Sequence, residues 1–105
     1  MTVGQFDELI HPSTRLSIAA ILASTDWVDF SFVRDQLDLS DSALSKQFSV
    51  LEDAGYVTIE RPVTERRRRV RVRFTDVGRR AFEGHVAALQ EVIASAESAA
   101  ASPMA

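Results

Sequence analysis

Residues Leu39–Val57 read LSDSALSKQFSVLEDAGYV. Ser40 suits a helix N-cap, because its hydroxyl accepts from a first-turn N–H that has no partner inside the helix. Gly55 suits the position just past a helix end, where the chain turns through left-handed geometry. Between these two signals, at about 100° per residue, Leu44, Phe48 and Leu51 lie within about 60° of one another and make an apolar stripe. Ser42, Lys46 and Ser49 fall on the opposite side with Asp53, flanked by Ser45 and Val50. The spacing predicts a helix with one buried face and one small, polar, singly basic face.

Upstream, Asp29 suits the N-cap of a shorter helix in which Phe30, Val33 and Leu37 face inward. It ends in the turn Asp38–Asp41. Two short helices joined by such a turn match the helix-turn-helix pattern. Earlier still, Pro12 suits the first residue of a helix, with Leu16, Ala19, Ala20 and Ala23 joined by Ile18, Ile21 and Leu22. That helix is apolar nearly all round, which implies burial between other helices. A short apolar lead-in, Phe6, Leu9 and Ile10, precedes it.

Downstream, the period changes to two. Val57 and Ile59 point one way, Thr58 and Glu60 the other; Val70, Val72 and Phe74 oppose Arg69, Arg71 and Arg73. With the polar stretch PVTERRR between them, these runs read as a β-hairpin with a long loop carrying Arg66, Arg67 and Arg68. Thr75 then caps a long helix, residues 76–97, striped by Phe82, His85, Val86, Leu89, Val92, Ile93 and Ala96. At about 20 residues, roughly 30 Å, it outruns a core of this size. Its stripe calls for the same helix of a second chain, joined by Phe6, Leu9 and Ile10. Gly84, Ala81, Ala87 and Ala88 allow close approach, and the competing arrangement is a helix folded back on its own domain. Residues 98–105 are expected to fray.

The 105 residues are 46% hydrophobic and 26% charged, the composition of one globular domain of residues 1–105, with its core in about 10–75. No apolar run approaches a membrane span and no basic-then-apolar leader opens the chain, so a cytoplasmic location is expected. Without cysteine there are no disulfides and no thiolate chemistry. Catalysis lacks a nucleophile, a base and a group to orient it. His11 and His85 are isolated and read as structural or interface residues, and the four glycines are scattered. Neither an enzyme, a metal site nor a cofactor is expected. The formal charge of −3 hides an asymmetry: Arg61–Arg73 holds seven arginines and one acid, a net +6, while the rest carries five basic and fourteen acidic groups, a net −9. Such a chain repels polyanions everywhere except at one edge.

The segment Leu39–Val57, followed by a charged hairpin and FTDVGRRAF, resembles the stand-alone winged helix-turn-helix regulators of the MarR/ArsR-like superfamily. IHPSTRLSIAAIL resembles their first main helix, and the likeness spans about Ile10 to Leu89. It implies an α+β, mostly α, winged helix-turn-helix with a two-stranded hairpin wing and a long C-terminal dimerisation helix. It also implies a homodimer on double-stranded operator DNA, with the third helix in the major groove and the wing beside it. A two-fold dimer sets its recognition helices about one DNA turn apart, so the site is expected to be pseudo-palindromic.

On that reading Ser42, Ser45, Lys46 and Ser49 face the bases and nearby phosphates. Gln47, beside the buried stripe, reaches an adenine edge or its own backbone. Arg66, Arg67 and Arg68 suit a minor groove. Arg69 and Arg71 suit phosphates, or pair with surface carboxylates as Arg73 does on the bland reading. Two departures stand out: Asp38 occupies a turn position that often carries Gly, and Ser49 and Val50 stand where basic residues are frequent, so affinity leans on the wing. An effector cleft beside Trp27, Phe30 and Phe32 would look like core in the sequence. The reading from a different class is a winged-helix protein-interaction module whose basic hairpin binds an acidic partner.

Overall fold

The computed structural model describes residues 3–61 and 69–101. The elements run α1 (Ser13–Ala23), β1 (Val28–Asp29), α2 (Phe30–Leu37), α3 (Asp41–Asp53), β2 (Val57–Glu60), β3 (Arg71–Phe74) and α4 (Asp76–Ala101).

The caps fall where the sequence puts them. Ser40 Oγ accepts from the Ala43 N–H at 3.1 Å and starts α3. At its end Gly55, with φ +78°, donates to the Glu52 carbonyl at 2.9 Å, and the Tyr56 N–H reaches the Leu51 carbonyl at 2.9 Å. These paired bonds satisfy carbonyls that a helix end leaves open. Helix α2 ends at Asp38, which takes φ 54° and ψ 50°, the left-handed conformation expected at this turn. An aspartate tolerates it better than most side chains.

The sheet has three antiparallel strands in the order β1-β3-β2, one more than the hairpin expected from sequence. Val57 pairs with Phe74, Ile59 with Val72 and Glu60 with Arg71, while on the other side of β3 Val28 pairs with Val72 and Asp29 with Arg71. Asp29 does stand at the N-cap of α2, but its side chain makes no capping bond. Its carboxylate lies 3.7 Å from the Arg69 guanidinium instead.

Ile18 and Leu22 of α1, Val33 of α2, Leu44, Phe48 and Leu51 of α3, and Val72 of β3 close the core. Burying each of the larger side chains stabilises the fold by roughly 1.5–3 kcal/mol. Helix α1 is buried on one face only, since Ala20 is exposed, because its far side meets no other layer.

Thr75 caps α4: its Oγ1 accepts from the Gly78 N–H at 3.0 Å and donates to the Gly55 carbonyl at 2.7 Å. Gly78 is required there, because a Cβ would overlap the Tyr56 carbonyl oxygen. The helix runs through Ala101, past the expected end at residue 97, since an alanine-rich stretch favours helix without any packing partner. Every residue from Gln90 to Ala101 is exposed. The molecule accordingly measures 70 × 27 × 20 Å. No helix among the described residues is long and apolar enough to cross a membrane.

The N-terminal segment corrects part of the interface expected from sequence. Residues 3–10 lie along α4, with the Gln5 N–H donating to the Gly84 carbonyl at 2.9 Å. The close approach at Gly84 is thus made by the chain's own backbone. Ile10 and His85, both counted toward a surface for a second copy, are 0% exposed inside the protomer. Leu9 and Phe82 pack half-buried against the same core. The first half of the α4 stripe folds back on its own domain; the second half does not.

Candidate nucleic-acid interface

Helix α3 divides cleanly. Leu44, Phe48 and Leu51 are buried, while Ser42, Ser45, Lys46 and Ser49 are all exposed. The four polar side chains therefore share one solvent-facing surface, anchored from behind by the core. Ser42 Oγ sits 3.4 Å from the capping hydroxyl of Ser40. Asp41, an acid beside the helix start, is matched by Arg34 of α2, whose guanidinium donates to it at 2.8 Å and to Asp35 at 3.0 Å. Those bonds raise the Arg34 pKa, the Asp41 bond most. Arg34 so offsets a negative charge that would otherwise repel phosphate from the N-terminus of α3.

Gln47 does neither of the things its position suggested. Its Oε1 accepts from Arg15 of α1 at 2.8 Å, and the same guanidinium donates to the Leu9 carbonyl at 2.6 Å. It joins α3 to α1 and to the N-terminal segment rather than facing outward.

Between the outer turn of α3 and the root of the wing lies a hollow of about 330 Å³. Asp41, Ser45, Phe48 and Ser49 of α3 line it together with Phe30 of α2 and Ile59, Arg61 and Val70 of the wing root. The serines and the wing root thus border one concavity.

The strand arginines share a face of the sheet, as the alternation requires, but each has an acid close by. Arg71 donates through Nη2 at 2.6 Å and through Nε at 3.0 Å to Glu60 Oε1. Arg73 meets Asp26 at 3.1 Å and Arg69 meets Asp29 at 3.7 Å. Trp27 lies beneath, with the Arg71 and Arg73 guanidinium carbons 4.8 and 5.2 Å from its ring centroid. Three positive and three negative groups leave this face formally neutral. Arg61, at the end of β2, lies 3.6 Å from Glu52. Arg66, Arg67 and Arg68 lie outside the described residues.

The sequence does not mark Arg15 or Arg34, nor the place of Trp27 under the strand arginines. Nothing in local spacing marks them, because their partners Gln47, Asp41 and Arg71 lie on other elements. Of the surface assigned to a second copy, Val92 and Ile93 are 63% and 56% exposed and Phe6 is 48% exposed, while Val86 and Leu89 are half-buried. No group of three or more potential metal-ligating side chains occurs among the described residues.

The family model described as winged helix DNA-binding domain matches residues 14–93. A solved transcriptional regulator homologue from Pyrococcus horikoshii OT3 is similar at 27% identity with TM-score 0.79, over 85% of this chain and 88% of that one. An uncharacterised protein of Methanocaldococcus jannaschii is 25% identical over 79 residues, 75% of this chain and 86% of that protein. A MarR-family transcriptional regulator from Silicibacter pomeroyi superposes with TM-score 0.64 at 22% identity, over 79% of this chain and 55% of that one. At that identity the last likeness speaks for the fold alone.

Proposed function

The chain belongs to the winged helix DNA-binding domain family, and we propose that it is a homodimeric regulator that reads double-stranded DNA by sequence. The observation that carries this is the exposed row Ser42, Ser45, Lys46 and Ser49, backed by a fully buried stripe. Short side chains let the α3 backbone approach base edges, hydroxyls bond bases or phosphates, and Lys46 supplies the charge. Arg71 contacts phosphate by exchanging its Glu60 partner for it, the more exposed Arg69 reaches phosphate directly, and Arg66, Arg67 and Arg68 serve the groove edge or minor groove. The fold's solved relative in Pyrococcus horikoshii OT3 bears the description of a transcriptional regulator homologue, which supports regulation rather than catalysis.

Pairing through the second half of α4 completes the reading. Val92 and Ile93 are exposed on a helix whose last twelve described residues are all exposed. An apolar pair on a projecting helix marks an association surface, and Phe6 extends it. Docking of an acidic protein on the hairpin has less support, since Arg69, Arg71 and Arg73 already face Asp29, Glu60 and Asp26.

Selection of binding sites from random duplex DNA tests the function. A preferred site with two-fold symmetry, half-sites about one turn apart, is expected. No enrichment over unselected duplex would overturn the proposal.

A further inference from the structure

His85 is 0% exposed, yet both its ring nitrogens are bonded. The Asp7 backbone N–H points at Nδ1 from 3.0 Å. A backbone N–H only donates, so Nδ1 carries no proton and the neutral ring keeps its proton on Nε2. That proton is donated to His11 Nδ1, 3.1 Å away. Phe6 closes the cluster, its ring centroid 4.7 Å from each imidazole. The segment of residues 6–11 is thus fastened to α4 through one imidazole in one tautomer.

A second proton on His85 would have to sit on Nδ1, directly against the Asp7 N–H. No neighbouring group is placed to accept it. The Asp7 carboxylate is the nearest anion, but Oδ1 already accepts from the Leu9 and Ile10 N–H groups at 2.8 and 3.0 Å. Its Oδ2 accepts from the Tyr56 hydroxyl at 2.6 Å. From α1, Arg15 is committed to Leu9 and Gln47. Glu8 on the segment and Glu83 on α4 are both exposed, so water screens them from the ring.

We infer that His85, Asp7 and His11 form a proton-operated latch, holding residues 3–7 on α4 near neutral pH and releasing them in mild acid while Ile10 stays in the core. Burial, then the neighbouring His11, lowers the His85 pKa below its ordinary value, while the Asp7 charge opposes this weakly. The sign follows: docking is fully stabilised above about 6.5, the pKa of a free histidine, and is lost as pH falls through the lowered value. Phe6 belongs also to the pairing surface proposed above, but release is read on one chain and stands apart from that reading.

The test is amide hydrogen exchange and imidazole nitrogen NMR on the full chain between pH 7.5 and 5.0. Near neutral pH we expect His85 to show a bare Nδ1. Below about 6.5, protection of the Asp7 amide, corrected for its intrinsic rate, falls by up to about tenfold per pH unit, while the Leu51 amide stays protected. The variant His85→Asn keeps a neutral acceptor that does not titrate, so its Asp7 protection should be independent of pH. If that variant fails to fold, the wild-type titration decides alone. Asp7 protection unchanged down to pH 5.0, an equal fall in Leu51, or the same pH response in His85→Asn would each overturn the latch.

Discussion

Glu60 and Arg71 stand directly opposite each other across the β2–β3 pair, with Glu60 Oε1 2.6 Å from Arg71 Nη2 and 3.0 Å from Nε. On the other side of β3 the residue in register with Arg71 is Asp29. The central arginine of the strand is therefore flanked by acids on both neighbouring strands. A run that looks basic along the sequence is formally neutral across the sheet.

That pairing yields a prediction about affinity. Exposed ion pairs contribute about 0–1 kcal/mol, so Glu60→Gln should change stability little in denaturant unfolding. It should nevertheless tighten binding to duplex DNA several-fold, because Arg71 no longer has to leave a carboxylate to meet a phosphate. A steeper salt dependence, by about one unit for one added phosphate contact, should accompany it in fluorescence anisotropy. Unchanged affinity and slope would place Arg71 away from the DNA.

On α3, Lys46→Ala should lower the salt slope by about one unit or relax the preference at one base position, at a cost of about 1–3 kcal/mol. Anisotropy titrations against a selected duplex and single-base variants separate these outcomes. Ser42→Ala should alter the preferred sequence more than the affinity for unselected duplex.

Two isoleucines separate folding from pairing. Ile10 is fully buried and Ile93 is 56% exposed. Ile10→Ala should destabilise the protomer by about 2–5 kcal/mol. The double change Val92→Asp and Ile93→Asp should leave the protomer folded by circular dichroism and convert a dimer to a monomer in sedimentation. A wild-type chain that sediments as a monomer at micromolar concentration would remove the pairing role of α4.

Gly78 tests the joint between the sheet and α4. With the Tyr56 carbonyl where its Cβ would be, Gly78→Ala forces backbone to move and should cost about 1–3 kcal/mol, read in urea unfolding. Gly84→Ala, whose added Cβ would find its nearest atoms at 3.6 Å, should be tolerated far better.

Features carried by local pattern were legible in the sequence. Ser40, Gly55 and Thr75 announce helix ends through residue chemistry, and the alternation around Val72 announces a strand. Features made by long-range contact were not. Strand β1 has two residues, too few to show a period. The helical spacing of His85 marks it as apolar-facing but does not say whether the chain's own segment or a second copy covers it. The neutrality of the strand arginines depends on Asp26 and Asp29, which lie forty or more positions upstream. The two faces of α3 were readable because a single helix carries both.

The most direct measurement is an NMR titration of isotope-labelled protein with a duplex containing its selected site. We expect the largest amide shifts at Ser42, Ser45, Lys46 and Ser49, with smaller ones at the wing. Shifts confined to the arginine face of the sheet, or none in α3 at saturating duplex, would contradict recognition by that helix.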